Sequence, residues 1–175
     1  VTADHGEMLG EHGEIGHGGM PYQGLVHIPL LVRFPGQRRP QVVDTPVSLV
    51  DVLPTVLDLA GISATVPLNG MSLAATGGIT NRDVVVEYRK RGMAMTRAII
   101  SGRWKLIQHF KNPALYDIEA DPGEDRNLYR PDHEAVGALA SRLAVWSKSV
   151  RPAGRPAGPT DAETIRRLRS VGYVQ

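Results

Sequence analysis

The chain has 175 residues, of which 42% are hydrophobic and 22% charged, and its formal net charge is +2. This is the composition of an ordinary globular protein, and so small a net charge gives no reason to expect nucleic acid or an anionic membrane as a partner. The absence of cysteine excludes disulfides and thiolate metal sites. No apolar run approaches the roughly 20 residues that a transmembrane helix needs.

The first three residues, "VTA", predict the end of a buried strand. They are short, apolar and β-prone, as is typical of the tip of a parallel strand where α/β enzymes place their ligands. There is no initiator Met and no signal-peptide pattern, and Val1 enters directly into this strand. We therefore expect a fragment whose N-terminal part is missing, and the sequence gives no localisation.

The next part of the chain predicts a loop, a strand and a helix. Residues 6–24 are too rich in glycine for extended regular structure. "HIPLLVRFPG" (27–36) is a strand candidate that ends at a Pro-Gly pair. Within 44–62, apolar residues recur at helical spacing, with Asp51 as the expected cap and Gly61 as the stop.

From residue 81 onward the pattern changes to short alternating runs. "DVVVEY", "AMTRAIIS" and "WKLIQHF" predict an antiparallel meander, and "ALYDIEADPGEDRNL" predicts a turn-rich segment. Residues 132–150 predict an amphipathic helix with Asp132 as its N-cap. The Pro- and Gly-rich stretch 151–160 predicts a linker, and 161–175 predicts a short basic helix with an apolar end.

This order of elements indicates an α/β fold class followed by an α+β subdomain. We expect residues 1–80 to form the last part of an α/β/α sandwich. Residues 81–150 would form an antiparallel-sheet subdomain with one covering helix. Residues 151–175 would form a linker and tail.

The chemistry concentrates in "DHGE" at the expected strand tip. Asp4 and His5 are adjacent, and a carboxylate beside an imidazole is a common ligand pair for divalent cations. The structural alternative is that Asp4 caps a turn and His5 is a core histidine. His17 lies between two glycines and is a candidate donor to an anionic substrate or leaving group, against the alternative of a surface loop histidine.

The other polar residues of this region have structural roles as their default interpretation. Glu11 and His12 could bond the loop backbone and hold its shape, and the roles of Glu7 and Glu14 stay open. His27 would be structural or line a rim. Arg33 and Arg103 would be solvated.

The stretch "TADHGEMLGEHGEIGHGGMPYQGLVHIPLLVRFPG" closely resembles the C-terminal half of the sulfatase family, within the alkaline-phosphatase-like superfamily. "VSLVDVLPTVLDLAGI" resembles the helix that follows in that family. "TRAIISGRWKLIQHF" and "ALYDIEADPGEDRNL" resemble its C-terminal subdomain, with an RWKLI-type strand and an LYDL-x-x-DP-x-E-x-x-NL pattern. The closing "RRLRSVGYVQ" is similar to the ends of many bacterial members.

The resemblance implies hydrolysis of a small-molecule or glycan sulfate ester around a divalent cation, most often Ca²⁺, with Mg²⁺ or Mn²⁺ as alternatives. It implies that Asp4 and His5 are the metal pair and that His17 contacts the sulfate. Ca²⁺ takes about 6–8 mainly oxygen ligands, so this pair is only part of a site. The remaining ligands would come from the missing N-terminal half of the same protein, from substrate or from water.

One feature departs from the family pattern. The chain has no cysteine and no C/S-x-P-x-R motif, so nothing in it can become the formylglycine nucleophile. Taken alone, the chain is therefore expected to be inactive. Two alternatives stay open: a phosphonate monoester or phosphodiester hydrolase of the same superfamily, and a non-catalytic binding module. The upstream nucleophile motif would separate these alternatives.

Overall fold

The computed structural model describes residues 1–74, 82–89, 95–150 and 162–170, without the side chains of 164 and 168. Its elements in chain order are β1 (Met8–Leu9), β2 (Ile15–Gly16), α1 (Gln23–Val26), α2 (Val52–Leu59), β3 (Asp83–Tyr88), β4 (Thr96–Ser101), β5 (Trp104–Gln108), β6 (Ala114–Asp117), α3 (Glu134–Ser149) and α4 (Ala162–Ser170). None of the helices in these ranges is long and apolar enough to cross a membrane. The predicted linker at 151–160 and the end of the tail, 171–175, lie outside the described residues. The division at residues 80 and 150 stays a prediction.

The predicted meander is confirmed, and it contains a fourth strand. Strands β3, β4, β5 and β6 pair antiparallel in sequence order. Strand β6 lies inside the segment that the sequence predicted to be turn-rich, and all four of its residues are buried. Ser101 pairs with Trp104 across a two-residue turn, where Gly102 has φ +55°. That left-handed conformation suits a residue without a Cβ.

Helix α3 covers one face of this sheet and forms the main core. The core side chains are Ile99, Leu106 and Leu115 from the sheet and Val136, Leu139 and Leu143 from the helix. The predicted helix is therefore confirmed, but its predicted cap is wrong. His133 is the N-cap, and its Nδ1 accepts from Ala135 N–H at 3.2 Å. The helix begins two residues after Asp132, so the Asp132 carboxylate is too early in the chain for that position.

The opposite face of the sheet packs against the N-terminal region. Its buried residues are Ala98, Ile107, Ala114 and Tyr116, and Met20 and Tyr22 of the glycine-rich segment pack on them. Burial raises the pKa of the Tyr116 hydroxyl. The segment that follows the "DHGE" motif is therefore anchored on the meander rather than standing free.

Two predicted strands are not formed in the described residues. Thr2 makes one isolated antiparallel bridge with Leu30. Val1 N donates to Leu31 O at 2.7 Å, and Leu31 N donates to Val1 O at 2.8 Å. A β-strand needs a run of backbone hydrogen bonds to a neighbouring strand. Residues 1–3 and 27–36 make only this one bridge, and they make it with each other. The expectations of a parallel strand tip at 1–3 and a strand at 27–36 are therefore wrong for the described structure.

Helix α2 confirms the prediction for 44–62, and Asp51 is its N-cap residue by position, although the Asp51 side chain does not cap α2. A 3₁₀ turn over Leu49–Asp51 precedes it, with Ser48 at the N-cap. Asp51 is fully buried and accepts from Ser48 N–H at 2.8 Å and from Met71 N–H at 3.0 Å. It also forms a salt bridge with Arg82. Asp51 is thus the N3 residue of a capping box with Ser48. Its carboxylate also binds Met71 and Arg82, and so connects them to the start of this helix. The stop at Gly61 is confirmed, with φ +66°.

Candidate functional site

The glycine-rich segment folds into a small ribbon that sets the geometry of the site. Strands β1 and β2 pair antiparallel, with Met8 opposite Gly16 and Leu9 opposite Ile15. The turn between them includes Gly10 at φ +129° and Gly13 at φ +72°. Continuing this register by one pair places residue 7 opposite residue 17. The ribbon thus brings together two polar residues that are ten positions apart.

Glu7 and His17 form a direct side-chain pair. Glu7 Oε2 lies 3.1 Å from His17 Nδ1. The His17 ring also lies against the His5 ring, with centroids 4.6 Å apart and an interplanar angle of 32°. When Nδ1 of His17 is held by a carboxylate, its Nε2 is the nitrogen that is left to face a ligand.

The side chains of Asp4 and His5 lie close together. Asp4 Oδ2 lies 3.8 Å from His5 Nε2, and His5 N–H donates to Asp4 Oδ1 at 3.1 Å. The other ring nitrogen of His5, Nδ1, lies 2.8 Å from Gly6 O. A backbone carbonyl on Nδ1 fixes the tautomer, so the Nε2 lone pair is available beside the Asp4 carboxylate.

Gly6 is required by a close approach of two backbone segments. A Cβ at position 6 would lie 2.0 Å from Gly24 O, which no side chain can tolerate. Gly6 N–H donates to Leu25 O at 2.8 Å. The residue after the Asp4–His5 pair is thus bonded to helix α1 at a distance that only glycine permits.

The site is open to solvent. The side chains of Asp4, His5 and His17 keep 60%, 44% and 62% of their exposure. They lie in an open cleft whose lining also includes Tyr88 of β3. All three side chains are therefore accessible to solvent in the described structure.

The residues expected to be structural have structural contacts. Glu11 accepts from Leu9 N–H at 2.7 Å, and its backbone hydrogen bonds hold the pKa of Glu11 below its ordinary value. His12 Nε2 lies 3.0 Å from Gly123 O, and its ring stacks on Tyr22 at 3.9 Å. These contacts hold the ribbon to itself and to the turn after β6.

The more distant candidates are separate from the site's three predicted residues. His27 is exposed in the wall of the cleft, and Arg33 is exposed. Arg103 pairs with Asp117 and lies over the Trp104 ring at 5.6 Å. Arg103 is exposed, as the sequence predicted, and its pairing with Asp117 adds a structural contact.

The group of side chains that could hold a cation contains Glu7 and His17 and only one of the two predicted ligands, His5. In the part of the chain that the structure describes, His5, Glu7 and His17 form a group whose potential ligand atoms all lie within 4.8 Å of one another. Asp4 stands directly beside this group through its contact with His5. The sequence left the role of Glu7 open because its contact with His17 depends on the register of the ribbon, which the sequence did not predict. The turn residues Gly10 and Gly13 were the available signal for that hairpin.

Comparisons with known proteins agree on one family. The sulfatase family model matches residues 1–62. The uncharacterized sulfatase YidJ from Escherichia coli (strain K12) is 38% identical over 136 residues, which cover 73% of this chain and 27% of the relative. Arylsulfatase K from Gallus gallus is 36% identical over 154 residues, which cover 79% of this chain and 29% of the relative. The chain thus spans less than a third of the length of these curated relatives.

Solved structures give the same result for the fold. A 2-O GAG sulfatase superposes with a TM-score of 0.64 at 26% identity, over 89% of this chain and 38% of that one. The phosphonate monoester hydrolase SpPMH from Silicibacter pomeroyi superposes with a TM-score of 0.66 at 27% identity, over 85% of this chain and 34% of that one. These likenesses confirm the predicted alkaline-phosphatase-like fold class.

Proposed function

Because this chain belongs to the sulfatase family, we propose that it supplies part of the active site of an enzyme that hydrolyses sulfate esters with the help of a divalent cation. The observation that carries the proposal is the grouping of Asp4, His5 and His17 in one cleft. These three side chains lie in the segment that the family model matches.

We assign Asp4 and His5 as the cation ligands in this chain. The 3.8 Å between Asp4 Oδ2 and His5 Nε2 is a separation that two ligands of one cation can adopt. A carboxylate oxygen favours a hard cation such as Ca²⁺, with Mg²⁺ or Mn²⁺ as alternatives. Such a cation, when bound, supplies positive charge that stabilises the oxygens of the reacting ester.

We assign His17 to the substrate. In its imidazolium form both ring nitrogens donate, so Nδ1 can bond Glu7 while Nε2 donates to an anionic ester oxygen or to the leaving group. Glu7 would orient this ring. The half-exposed position of His17 in the cleft supports contact with a substrate from solvent.

The nucleophile and the remaining cation ligands would come from residues outside the chain. The chain contains no cysteine and no C/S-x-P-x-R motif from which a formylglycine nucleophile could be made. The matched segments make up only 27% and 29% of these two curated relatives. The substrate would be a small-molecule or glycan sulfate ester.

A second candidate function is hydrolysis of phosphonate monoesters. It is favoured by the likeness to the Silicibacter pomeroyi enzyme, at 27% identity and a TM-score of 0.66. Sulfate esters and phosphonate monoesters are both tetrahedral anions with one negative charge. The same cation and the same His17 donor would therefore serve either reaction.

The experiment is a comparison of two matched aryl esters, a sulfate and a phenylphosphonate with the same leaving group, on the whole protein. Faster release from the sulfate supports the sulfatase assignment. Faster release from the phosphonate favours the second candidate. Release from neither, with full cation binding, would contradict both and leave a binding module.

A further inference from the structure

Two charged residues of the C-terminal motifs meet in the interior. Lys105 is the lysine of "RWKLI" in β5, and Glu124 is the glutamate of "DPGE" after β6. Both side chains are fully buried, and Lys105 Nζ lies 2.6 Å from Glu124 Oε1. Burial lowers the pKa of the Lys105 amine, and the Glu124 carboxylate opposes that shift. Charged groups are rarely buried in this way unless each is paired.

The second oxygen of Glu124 reaches a different part of the chain. Glu124 Oε2 accepts from Gln23 N–H at 2.6 Å, between residues 101 positions apart. Lys105 Nζ also donates to Gln23 Oε1 at 3.3 Å. The buried pair therefore holds both the backbone and the side chain of the first residue of α1.

Helix α1 in turn holds the backbone beside the candidate cation ligands. Leu25 O accepts from Gly6 N–H at 2.8 Å, and Gly6 directly follows His5. Gly6 and Gly24 approach so closely that a side chain at position 6 would clash. A path of two hydrogen bonds and one helical turn thus runs from Glu124 to the residue next to His5.

The backbone conformation of Glu124 is further evidence that its side chain has a specific role. Its φ is +59°, a left-handed conformation that non-glycine residues seldom adopt. A glycine at this position would adopt that conformation at a lower cost. A glutamate in this conformation indicates that its carboxylate is needed where it points, between Lys105 and Gln23.

We propose that Glu124 is a positioning residue for the active site, acting through Gln23, α1 and Gly6 on the backbone that carries Asp4 and His5. The Lys105 ammonium balances the negative charge of the buried Glu124 carboxylate. The carboxylate accepts from Gln23 N–H through its other oxygen. The relevance to catalysis rests on the proposed function. The mechanical link does not, because it is a property of the fold.

The most selective test changes Gln23. Gln23→Pro removes the N–H that Glu124 accepts, at the first helical position, where proline is tolerated. Tyr22 before it is extended, with φ −69° and ψ 161°, as a residue before proline should be. Gln23→Ala is the matched control, because it removes the side chain and keeps the N–H. Hydrogen–deuterium exchange is measured on peptides that contain Gly6 and, as a fold control, on peptides from β4 and β5.

In Gln23→Pro, we expect the Gly6 peptide to exchange about tenfold or more faster, as for loss of a hydrogen bond to a charged group. In Gln23→Ala, we expect much smaller change. The β4 and β5 peptides should be unchanged in both. Equal exchange of the Gly6 peptide in parent and Gln23→Pro would overturn the proposal. So would loss of protection in β4 and β5 to the same extent as at Gly6, because the contact would then stabilise the fold generally.

A second pair of variants approaches the contact from the sheet. Lys105→Met with Glu124→Leu removes both charges together, which avoids leaving one unpaired. Lys105→Met with Glu124→Gln keeps an acceptor for Gln23 N–H. Faster exchange at Gly6 in the first double variant and its recovery in the second support the proposal, and equal exchange in the two contradicts it. Exchange is read without metal or substrate, so the outcome is independent of whether the whole protein hydrolyses sulfate esters.

Discussion

Glu7 Oε2 and His17 Nδ1 are 3.1 Å apart. The two residues lie opposite each other at the open end of the two-stranded ribbon that joins them. The contact leaves Nε2 of His17 for a ligand and lies beside the ring of His5. A carboxylate behind a histidine fixes the orientation of the ring without itself touching the substrate. The ribbon therefore sets the distance between Glu7 and His17.

Replacing His17 should reduce turnover while leaving the fold unchanged. His17 is more than half exposed and packs in neither core cluster, so His17→Ala should keep the circular dichroism and unfolding midpoint of the parent. Loss of a donor to the reacting ester should lower kcat by about 10²- to 10⁴-fold. Steady-state kinetics on the whole protein measure this. A kcat equal to that of the parent would contradict the assignment and favour the alternative, a surface loop histidine.

Glu7 should matter through His17. Glu7→Ala should lower kcat by about 10- to 100-fold, as for other partners that orient a functional histidine. Glu7→Gln keeps an acceptor for Nδ1–H and should recover part of that loss. In a His17→Ala background, Glu7→Ala should cost little more, because the ring that it orients is gone. Full and independent losses in the double variant would show that Glu7 acts on something else, such as the cation.

Gly6→Ala should weaken cation binding, whereas Gly137→Ala should stabilise the fold. Gly6→Ala places a Cβ against Gly24 O, so it should displace the Asp4–His5 backbone and weaken cation binding, measured by calorimetric titration. Gly137 lies in α3 with nothing within 4 Å of an added Cβ. Gly137→Ala should raise the free energy of unfolding by up to about 1 kcal/mol. Parent-like cation affinity in Gly6→Ala would contradict the close approach of α1 to the site.

The Arg103–Asp117 pair should make stability depend on pH at the acid end. Hydrogen bonding from Arg103 holds the pKa of Asp117 below its ordinary value of 3.8. A lowered folded-state pKa contributes stability that is full above the unfolded pKa and is lost as the pH falls through the folded pKa. The urea midpoint of the parent should therefore exceed that of Asp117→Asn at pH 7. The difference should shrink below about pH 4. A difference that is constant down to pH 2 would contradict this assignment.

The sequence was most informative where a pattern is local. The alternating strands β3–β5, the amphipathic helix α3 and the glycine stop at residue 61 follow from nearest-neighbour periodicity and turn chemistry. Strand β6 was missed because "ALYD" is short and lies among turn residues. Its strand conformation comes from pairing with β5, a contact that no local pattern reports.

The remaining differences arise from contacts between distant residues. Asp51 lies at the N-cap position of α2, as predicted, but its carboxylate accepts from Ser48 N–H and Met71 N–H and pairs with Arg82 instead of capping α2. The strand expected at 27–36 has only one bridge, since backbone pairing needs a partner edge that local sequence does not specify. The Asp4–His5 pair, being adjacent in sequence, could be predicted as a unit. The contact of Glu124 with Gln23 could not.

The assignment of Asp4 and His5 as cation ligands is tested most directly by the calcium dependence of sulfate release. The whole protein and its Asp4→Asn variant are stripped with a chelator and then titrated with Ca²⁺, while release from an aryl sulfate is followed. We predict that chelation abolishes release in the parent and that Ca²⁺ restores it. Asp4→Asn should need at least about tenfold more Ca²⁺, because one ligand charge is lost, a difference of about 1.4 kcal/mol. Release that survives chelation, or the same calcium dependence in both proteins, would contradict the assignment.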